Sequence, residues 1–401
     1  MLRPGSSLLK RLDARLAGTC SRVRYLWTGE DSTKGSRKRL LLFDIASNQS
    51  PFSIHRVHSS NSFLRNQHSF SPNTIRSRLA LHYKGIPYTE SWISYPDIEP
   101  LWQELKIPVP PRREDISGNN NKRPPSPSCT LPILLLDADD FRHDALNRLH
   151  DAKIPGVYET VQTRYGIFTP VVSTLGIALA LEMLFRDPER YPPLFPDRQS
   201  LEQTQQVQSI ITRLLPATRR LIIPSVPDIL DDRGKEYFTR TRSKWFDVSS
   251  LDELRPRTPE ETDRLWANIE AELEPILCTL HDSPLVRGPE LHDALDWNAE
   301  VGASEQNDGG HHASASRVRY LSGGPYPTYA DFILMAFLAW IARVDMDAWA
   351  RLTFYIGRGV LEDLWMGCLP YLRSGGYVGT LEWFRPARRQ TGQHPSHLSW
   401  K

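Results

Sequence analysis

The stretch SPNTIRSRLALHYKGIPY, residues 71–88, has a clear helix start and a clear helix stop. Ser71 stands at an N-cap position, and Pro72 suits the first helical position because its N–H is not needed there. Gly85 supplies the left-handed turn that follows a last helical residue, and Pro87 prevents the helix from continuing. The stretch therefore predicts a helix that begins after Ser71 and ends before Gly85.

Short apolar runs surround this helix. RLLLFDIA (39–46), YTESWISYP (88–96) and TLPILLLD (130–137) have the length and composition of strands. VVSTLGIALALEMLFRDP (171–188) follows a helical period and predicts a second helix. Strands that alternate with helices predict a small α/β unit built on a sheet.

After residue 196 the strand signals fade and the apolar residues follow a period of 3.6. Thr328 and Asp331 precede an apolar run at capping-box spacing, which indicates a helix start. The second half of the chain is therefore predicted to be all-helical.

Composition excludes several classes of protein. Of the 401 residues, 40% are hydrophobic and 24% are charged, which is enough apolar material for a core. The sequence has no run of 18 apolar residues, and its net charge is +2, so it predicts neither a membrane helix nor nucleic-acid binding. Four scattered cysteines make no C-x-x-C pair, and we predict no metal site.

The N-terminus is strongly basic. Residues 1–40 hold ten Lys or Arg against three Asp or Glu. Leu8, Leu12 and Leu16 share one face of a possible helix, a pattern that resembles a mitochondrial presequence. A basic tail without structure, or a misassigned start of the gene, are the alternatives. We predict a cytoplasmic protein, or a mitochondrial one if residues 1–38 act as a targeting signal.

The order of these elements, with a strand led by Leu131-Pro132 before the second helix, resembles the glutathione S-transferase family. LFDIAS (42–47), residues 71–88 and SYPDIEPLWQELKIP (94–108) resemble the N-terminal half of fungal etherase-type members. The helical half resembles fungal members of secondary-metabolite clusters, in the stretches EYFTRTRSKWF (236–246), PYPTYADFILMAFLAWIARV (325–344) and LWMGCLPYL (364–372). The resemblance implies an α/β plus all-α fold, with a thioredoxin-like N-terminal domain followed by a helical C-terminal domain.

Several stretches interrupt that pattern. Three polar or proline-rich stretches are interpreted as insertions into the N-terminal domain, and a fourth as a loop insertion into the helical domain. We therefore expect, in chain order, a basic extension at 1–38, a thioredoxin-like glutathione-binding domain at 39–196 with insertions at 50–70, 107–129 and 138–168, an all-helical domain at 200–375 with an insertion at 283–324, and a tail at 376–401.

The resemblance places the catalytic hydroxyl on Ser71. A free thiol is mostly protonated at neutral pH, and a hydroxyl donor near a helix N-terminus favours its thiolate form. Ser71 is the candidate for this role in bound glutathione, and a plain helix cap is the alternative. Asn73 is a second candidate contact, and Ser47 is a rival hydroxyl. Arg76 and Arg78, in the same helix, are assigned to a solvated face.

Two further sites follow from the resemblance. A cis bond between Leu131 and Pro132 would expose the Leu131 backbone to pair with the cysteinyl part of glutathione. Ser173 and Thr174 align with the acid-Ser pair that binds the γ-glutamyl end. Ser173 stands where the family has a carboxylate, so an ion pair is missing.

The resemblance implies an enzyme that conjugates or thiolytically cleaves an aromatic or apolar electrophile with glutathione. Its partners would be glutathione and a small apolar electrophile, bound in an apolar pocket between the domains, and it could form a homodimer. The alternative is a non-catalytic module of the same fold that binds ligands or proteins. A third possibility is a faulty gene model, with non-coding sequence translated at 50–70 and 138–168.

Overall fold

The computed structural model describes residues 39–48, 69–109, 129–141, 143–288, 317–373 and 377–380. The predicted basic extension at 1–38 lies outside these residues. So do most of the predicted insertions at 50–70, 107–129 and 283–324.

The first half of the chain forms a mixed sheet with helices around it. Its strands are β1 Leu40–Ile45, β2 Tyr88–Ile93, β3 Ile133–Asp137, β4 Val161–Thr163 and β5 Gly166–Val172. The second half contributes β6 Val286–Arg287, β7 Arg317–Val318 and β8 Tyr377–Thr380. Six of them form one sheet in the order β4-β5-β3-β1-β2-β8. β2 runs parallel to β1 and β8, whereas β3 is antiparallel to β1 and β5.

The helices fall into two groups along the chain. Those of the first half are α1 Pro72–Tyr83, α2 Ile98–Glu104, α3 His143–Asp151 and α4 Thr174–Leu184. Those of the second half are α5 Arg198–Ile222, α6 Asp232–Phe246, α7 Pro259–Asp282, α8 Tyr329–Val344, α9 Met346–Ala350 and α10 Val360–Arg373. The predicted class, a thioredoxin-like α/β part followed by a helical part, is confirmed.

Helix α1 lies in the centre of the molecule. It begins after Ser71 and is followed by Gly85 at φ +62°, as the sequence predicts. Helix α8 packs against it, and the rings of Tyr83 and Phe332 meet edge to face with 5.3 Å between centroids. Every residue of α8 from Tyr329 to Arg343 is buried. The two halves therefore share one hydrophobic core.

The predicted helix at 171–188 is too long at both ends. Val171 and Val172 belong to β5 and pair with β3, and α4 starts only at Thr174. Ser173 between them has φ +87°, a conformation that continues neither a strand nor a helix. The local apolar pattern cannot separate a buried strand from a buried helix turn.

Residues 138–168, which the sequence predicts as an insertion, form regular elements and contribute to the core. Helix α3 buries Leu146 and Leu149, and Ile154 joins the same core. β4 and most of β5 then form an antiparallel hairpin at one edge of the sheet. Polar turn residues dominate this part of the sequence, so its hydrophobic pattern does not predict its few core positions.

The second half is not entirely helical, contrary to the prediction for 200–375. β6 and β7 form a two-residue antiparallel ribbon at the two ends of the 283–324 stretch. The predicted tail at 376–401 also contains β8, which pairs with β2. Such pairings join residues far apart in sequence, and local sequence patterns do not predict them.

Candidate active site

A cavity of about 610 Å³ lies between the α/β part and the helical part. One side is formed by the start of α1 and by Thr130 and Leu131 before β3. The other side is formed by α5, α6 and α8, and Tyr95 after β2 closes the wall. The cavity therefore lies where the sequence predicts the acceptor pocket.

Ser71 lies on the wall of this cavity, at the N-cap position of α1. Its backbone is extended, with φ −68° and ψ 120°, and its carbonyl accepts from the Ile75 amide at 2.9 Å. The hydroxyl makes no capping hydrogen bond to the backbone of α1. A plain cap would use that oxygen to satisfy a free amide of the first turn. The hydroxyl is thus left for another partner at the cavity.

Two other predicted residues share this wall. Asn73 is exposed in the first turn of α1, and Leu131 is buried against the cavity. The bond from Leu131 to Pro132 is cis, as predicted. The Trp102 indole donates to the Thr130 carbonyl at 3.0 Å and holds the chain before this bond. The structure therefore brings Ser71, Asn73 and Leu131 together, with Pro132 directly behind Leu131.

Ser173 and Thr174 lie apart from this wall. Ser173 is exposed, and its hydroxyl accepts from the Gly176 amide at 3.1 Å, so it caps α4. Thr174 lines a neighbouring cavity of about 300 Å³, and its carbonyl accepts from the Tyr329 hydroxyl at 2.8 Å. Gln208 lines both cavities. The start of α4 thus lines the second cavity, and among the described residues it does not line the first.

The rival hydroxyl of Ser47 is placed differently. It follows β1 and forms an isolated antiparallel bridge with Leu230. Ser47 does not belong to the wall of the first cavity as the described residues define it.

Arg76 is a site residue that the sequence prediction missed. It was assigned to a solvated face, yet it is 5% exposed and lines the cavity one helical turn beyond Asn73. Its guanidinium donates to the Gln208 amide oxygen at 2.5 Å, and burial lowers the pKa of the group. The prediction failed because neighbouring elements bury nine of the twelve residues of α1. Arg78, which was placed on the same solvated face, is also mostly buried and pairs with Glu90.

The far wall combines aromatic rings with arginines. The Arg242 guanidinium carbon lies 5.0 Å from the Phe238 ring centroid, 5.4 Å from that of Trp245 and 5.9 Å from that of Tyr95. Arg219 of α5 lies 5.1 Å from the same Trp245 ring. The pocket expected to be apolar therefore also contains arginine side chains.

One sequence signal for this wall was available. Phe238, Arg242 and Trp245 are spaced four and three residues apart, which puts them on one face of a helix. The pattern does not say whether that face meets a cavity or the core.

Burial raises the pKa of the Tyr95 phenol to about 12, although Arg242 partly opposes the change. Tyr95 therefore stays a neutral phenol at neutral pH.

The described residues also bear on other classes of site. None of the described helices is both long enough and apolar enough to cross a membrane. Within the same residues, no group of three or more His, Cys, Asp or Glu side chains is placed to hold a metal ion.

Comparison with known proteins gives consistent matches. Residues 204–294 match the family model of the C-terminal domain of glutathione S-transferase. The Glutathione S-transferase-like protein ustS of Aspergillus flavus is 30% identical to this chain over 312 residues, which are 77% of this chain and 87% of that relative.

Two solved structures share the fold. A glutathione S-transferase of Ceriporiopsis subvermispora, solved in complex with glutathione, is 19% identical, with a TM-score of 0.50 over 83% of this chain and 96% of its own. The glutathione transferase GSTFuA3 from Phanerochaete chrysosporium is also 19% identical, with a TM-score of 0.53 over 84% of this chain and 98% of its own.

Proposed function

The chain belongs to the glutathione S-transferase family, and from that premise we propose that it joins the thiol of glutathione to an electrophilic carbon. The observation that carries the proposal is the Ser71 hydroxyl. It stands at the N-terminus of α1, on the cavity wall, without a capping bond to the backbone of its own helix.

The proposed role of the Ser71 hydroxyl is to stabilise the thiolate of glutathione. At neutral pH a thiol is mostly protonated, and only its anion is a strong nucleophile. An O–H donor and the free amides at a helix N-terminus both favour the anion. In the proposed reaction the thiol proton leaves to solvent, a C–S bond forms, and the leaving group departs with its bonding electron pair.

Other predicted residues bind rather than react. The Leu131 backbone before Pro132 would pair with the cysteinyl part of glutathione, and Asn73 would add a polar contact from the first turn of α1. Thr174, with Ser173 before it, would approach the γ-glutamyl end from the smaller cavity. Homodimerisation and the targeting role of residues 1–38 stay predictions from the sequence.

A non-catalytic module of the same fold is the second candidate. The observation that favours it is the Ser173 hydroxyl, which caps α4. The resemblance aligns Ser173 with the family's carboxylate. A missing charge-assisted hydrogen bond weakens binding by roughly ten-fold or more. Retention of the protein on glutathione resin, together with turnover, separates the two candidates: retention without turnover supports the module.

The test of the enzymatic proposal is Ser71→Ala. Loss of a hydrogen-bond donor to the reacting anion should lower the conjugation rate by roughly ten- to a thousand-fold. The melting temperature should stay close to that of the wild type, because Ser71 makes no capping bond. Glutathione affinity should change far less than the rate.

Ser47→Ala is the control, since Ser47 is a nearby hydroxyl outside the cavity wall. It should conjugate at the wild-type rate. If Ser71→Ala melts earlier and conjugates normally, Ser71 is only a helix cap and the catalytic assignment is wrong.

A further inference from the structure

The ionisable side chains on the cavity wall are mostly cationic. Arg76, Arg219, Arg242 and Lys244 line it, and Glu99 is the acidic residue among the described lining residues. Glu99 and Lys244 are exposed at the rim, whereas the arginines are at least partly buried. This excess of positive charge attracts an anionic ligand more strongly than an uncharged one.

Among the described residues, aromatic rings and not a carboxylate surround the Arg242 guanidinium. Its guanidinium lies within 6 Å of the centroids of Tyr95, Phe238 and Trp245, inside the range of cation–π attraction. No carboxylate of the described residues forms an ion pair with it, and burial lowers the pKa of its guanidinium. A buried charge is normally paired, so this cation is arranged for a partner that enters the cavity.

The rings beside Arg242 form a continuous aromatic surface. Tyr95 and Tyr237 are stacked with 14° between their planes, and Tyr95 also meets Phe238 with 5.3 Å between centroids. Phe70, the residue before Ser71, meets Tyr95 with 6.5 Å between centroids. Aromatic contacts thus lead from the residue next to Ser71 to Arg242.

We propose that the second substrate is an aromatic electrophile that carries a carboxylate, with its ring among these aromatic side chains and its carboxylate on Arg242. The inference rests on the proposed function, because it names the co-substrate of that reaction. Arginine suits the role, since its planar guanidinium binds a carboxylate through two parallel N–H donors while its face stacks on a ring. Arg219, on the same Trp245 ring, adds a second positive charge from α5.

Arg242 takes no part in the bond changes. The C–S bond forms between the thiolate and the electrophilic carbon, and the leaving group departs with its electron pair. The carboxylate stays ionised throughout and fixes the orientation of the ring. Arg242 is therefore a specificity-determining residue.

The experiment compares two matched pairs of compounds. Chlorodinitrobenzoate and chlorodinitrobenzamide carry a leaving group and report turnover with glutathione. Dinitrobenzoate and dinitrobenzamide lack that leaving group and report binding alone, by calorimetry on the full-length protein. We expect the wild type to bind the benzoate at least about ten-fold more tightly than the amide, the effect of one charge-assisted contact. KM should show the same preference.

Variants assign this preference to Arg242. Arg242→Gln should abolish it, and Arg242→Lys should keep part of it, because a lysine retains the charge without the planar fork. Arg213→Gln is the matched control: Arg213 is an exposed arginine of α5 that pairs with Glu272, and its loss should change nothing. Equal binding of the two compounds by the wild type overturns the inference, as does a preference that survives in a folded Arg242→Gln variant.

If Arg242→Gln does not fold, the wild-type preference for the benzoate over the amide still tests the inference. Arg219→Gln, which should reduce this preference, then serves as the second variant. The binding pair also separates this inference from the proposed function. A wild type that prefers the benzoate but conjugates neither compound retains the anion site and loses the transferase activity.

Discussion

At the scale of single residues, the unusual feature is charge buried beside the central sheet. Asp44 of β1 is fully buried, and its carboxylate lies 3.8 Å from Arg78, which pairs more closely with Glu90. Burial raises the pKa of Asp44 to about 6, although the attraction of Arg78 opposes the change. Two carboxylates thus share one cation, and desolvation decides the protonation of Asp44.

This arrangement predicts how stability depends on pH. The pKa of Asp44 is above its unfolded value of 3.8, so the folded protein binds the proton more tightly than the unfolded chain. The stability that Asp44 contributes is fully present below about pH 4 and is lost as the pH rises through about 6. Compared with Asp44→Asn, the wild type should lose up to about 1.4 kcal/mol of unfolding free energy per pH unit in that window.

Urea unfolding of both proteins across this pH range measures the difference. Asparagine keeps the oxygen that accepts from the Ile45 amide, so the variant removes mainly the titration. Asp228→Asn, at an exposed residue that pairs with Lys235, should run parallel to the wild type. A constant gap between the wild type and Asp44→Asn would show that Asp44 does not titrate in this range.

At the scale of elements, helix α8 depends on one buried carboxylate. Asp331 accepts from the backbone amides of Leu321 and Thr328, each at 2.7 Å, and from the Thr328 hydroxyl at 2.9 Å. The sequence predicts this helix start from the Thr328 and Asp331 spacing. It does not predict the bond to Leu321, which ties the preceding loop to the same carboxylate. Asp331 therefore fixes both the helix and its entry.

Asp331→Ala should destabilise the protein by about 3 kcal/mol or more, because two buried amides lose their acceptor and each costs about 1–3 kcal/mol. Thr258→Ala is the control, since Thr258 caps the exposed start of helix α7 by accepting from the Glu261 amide at 3.2 Å. An exposed cap is worth only about 1 kcal/mol. Denaturant unfolding compares the two, and an equal loss would contradict the special role of the buried cap.

At the scale of the whole molecule, the end of the chain returns to the first domain. The His82 imidazole of α1 donates from Nδ1 to the Tyr371 carbonyl of α10 at 2.7 Å. Burial, together with Arg78, lowers the pKa of His82 to about 3, so this contact is made by the neutral ring. Directly after α10, β8 adds to the open edge of β2. The segment from α10 to β8 therefore both packs against α1 and adds a strand to the sheet.

A chain that ends at Gly376 should lose protection at that edge. Tyr88, Thr89 and Glu90 of β2 pair with β8, so their amides should exchange faster with deuterium when β8 is removed. Amides of β5, on the other side of the sheet, should be unaffected. A chain that ends at Thr380 keeps β8 and should exchange like the full-length protein. Unchanged protection of β2 in the shorter chain would mean that β8 contributes nothing to the sheet.

The sequence by itself determined the elements whose signals are local. The start and stop of α1, the strand after Leu131-Pro132 and the capped start of α8 depend on residues within a few positions of one another, and local backbone preferences suffice to predict them. The position of Ser71 at the head of α1 follows from the same signals. Much of the α/β plus all-α class could therefore be predicted.

Only the tertiary structure decided what lies around each side chain. Arg76 is buried because α5 and α8 cover a helix whose own sequence suggests an exposed face, and Arg242 meets the cavity because α6 packs near Tyr95. Thr174 opens into a separate cavity for the same kind of reason. Burial, charge and pairing are properties of contacts between residues far apart in the chain, and a residue's near neighbours in sequence do not encode them.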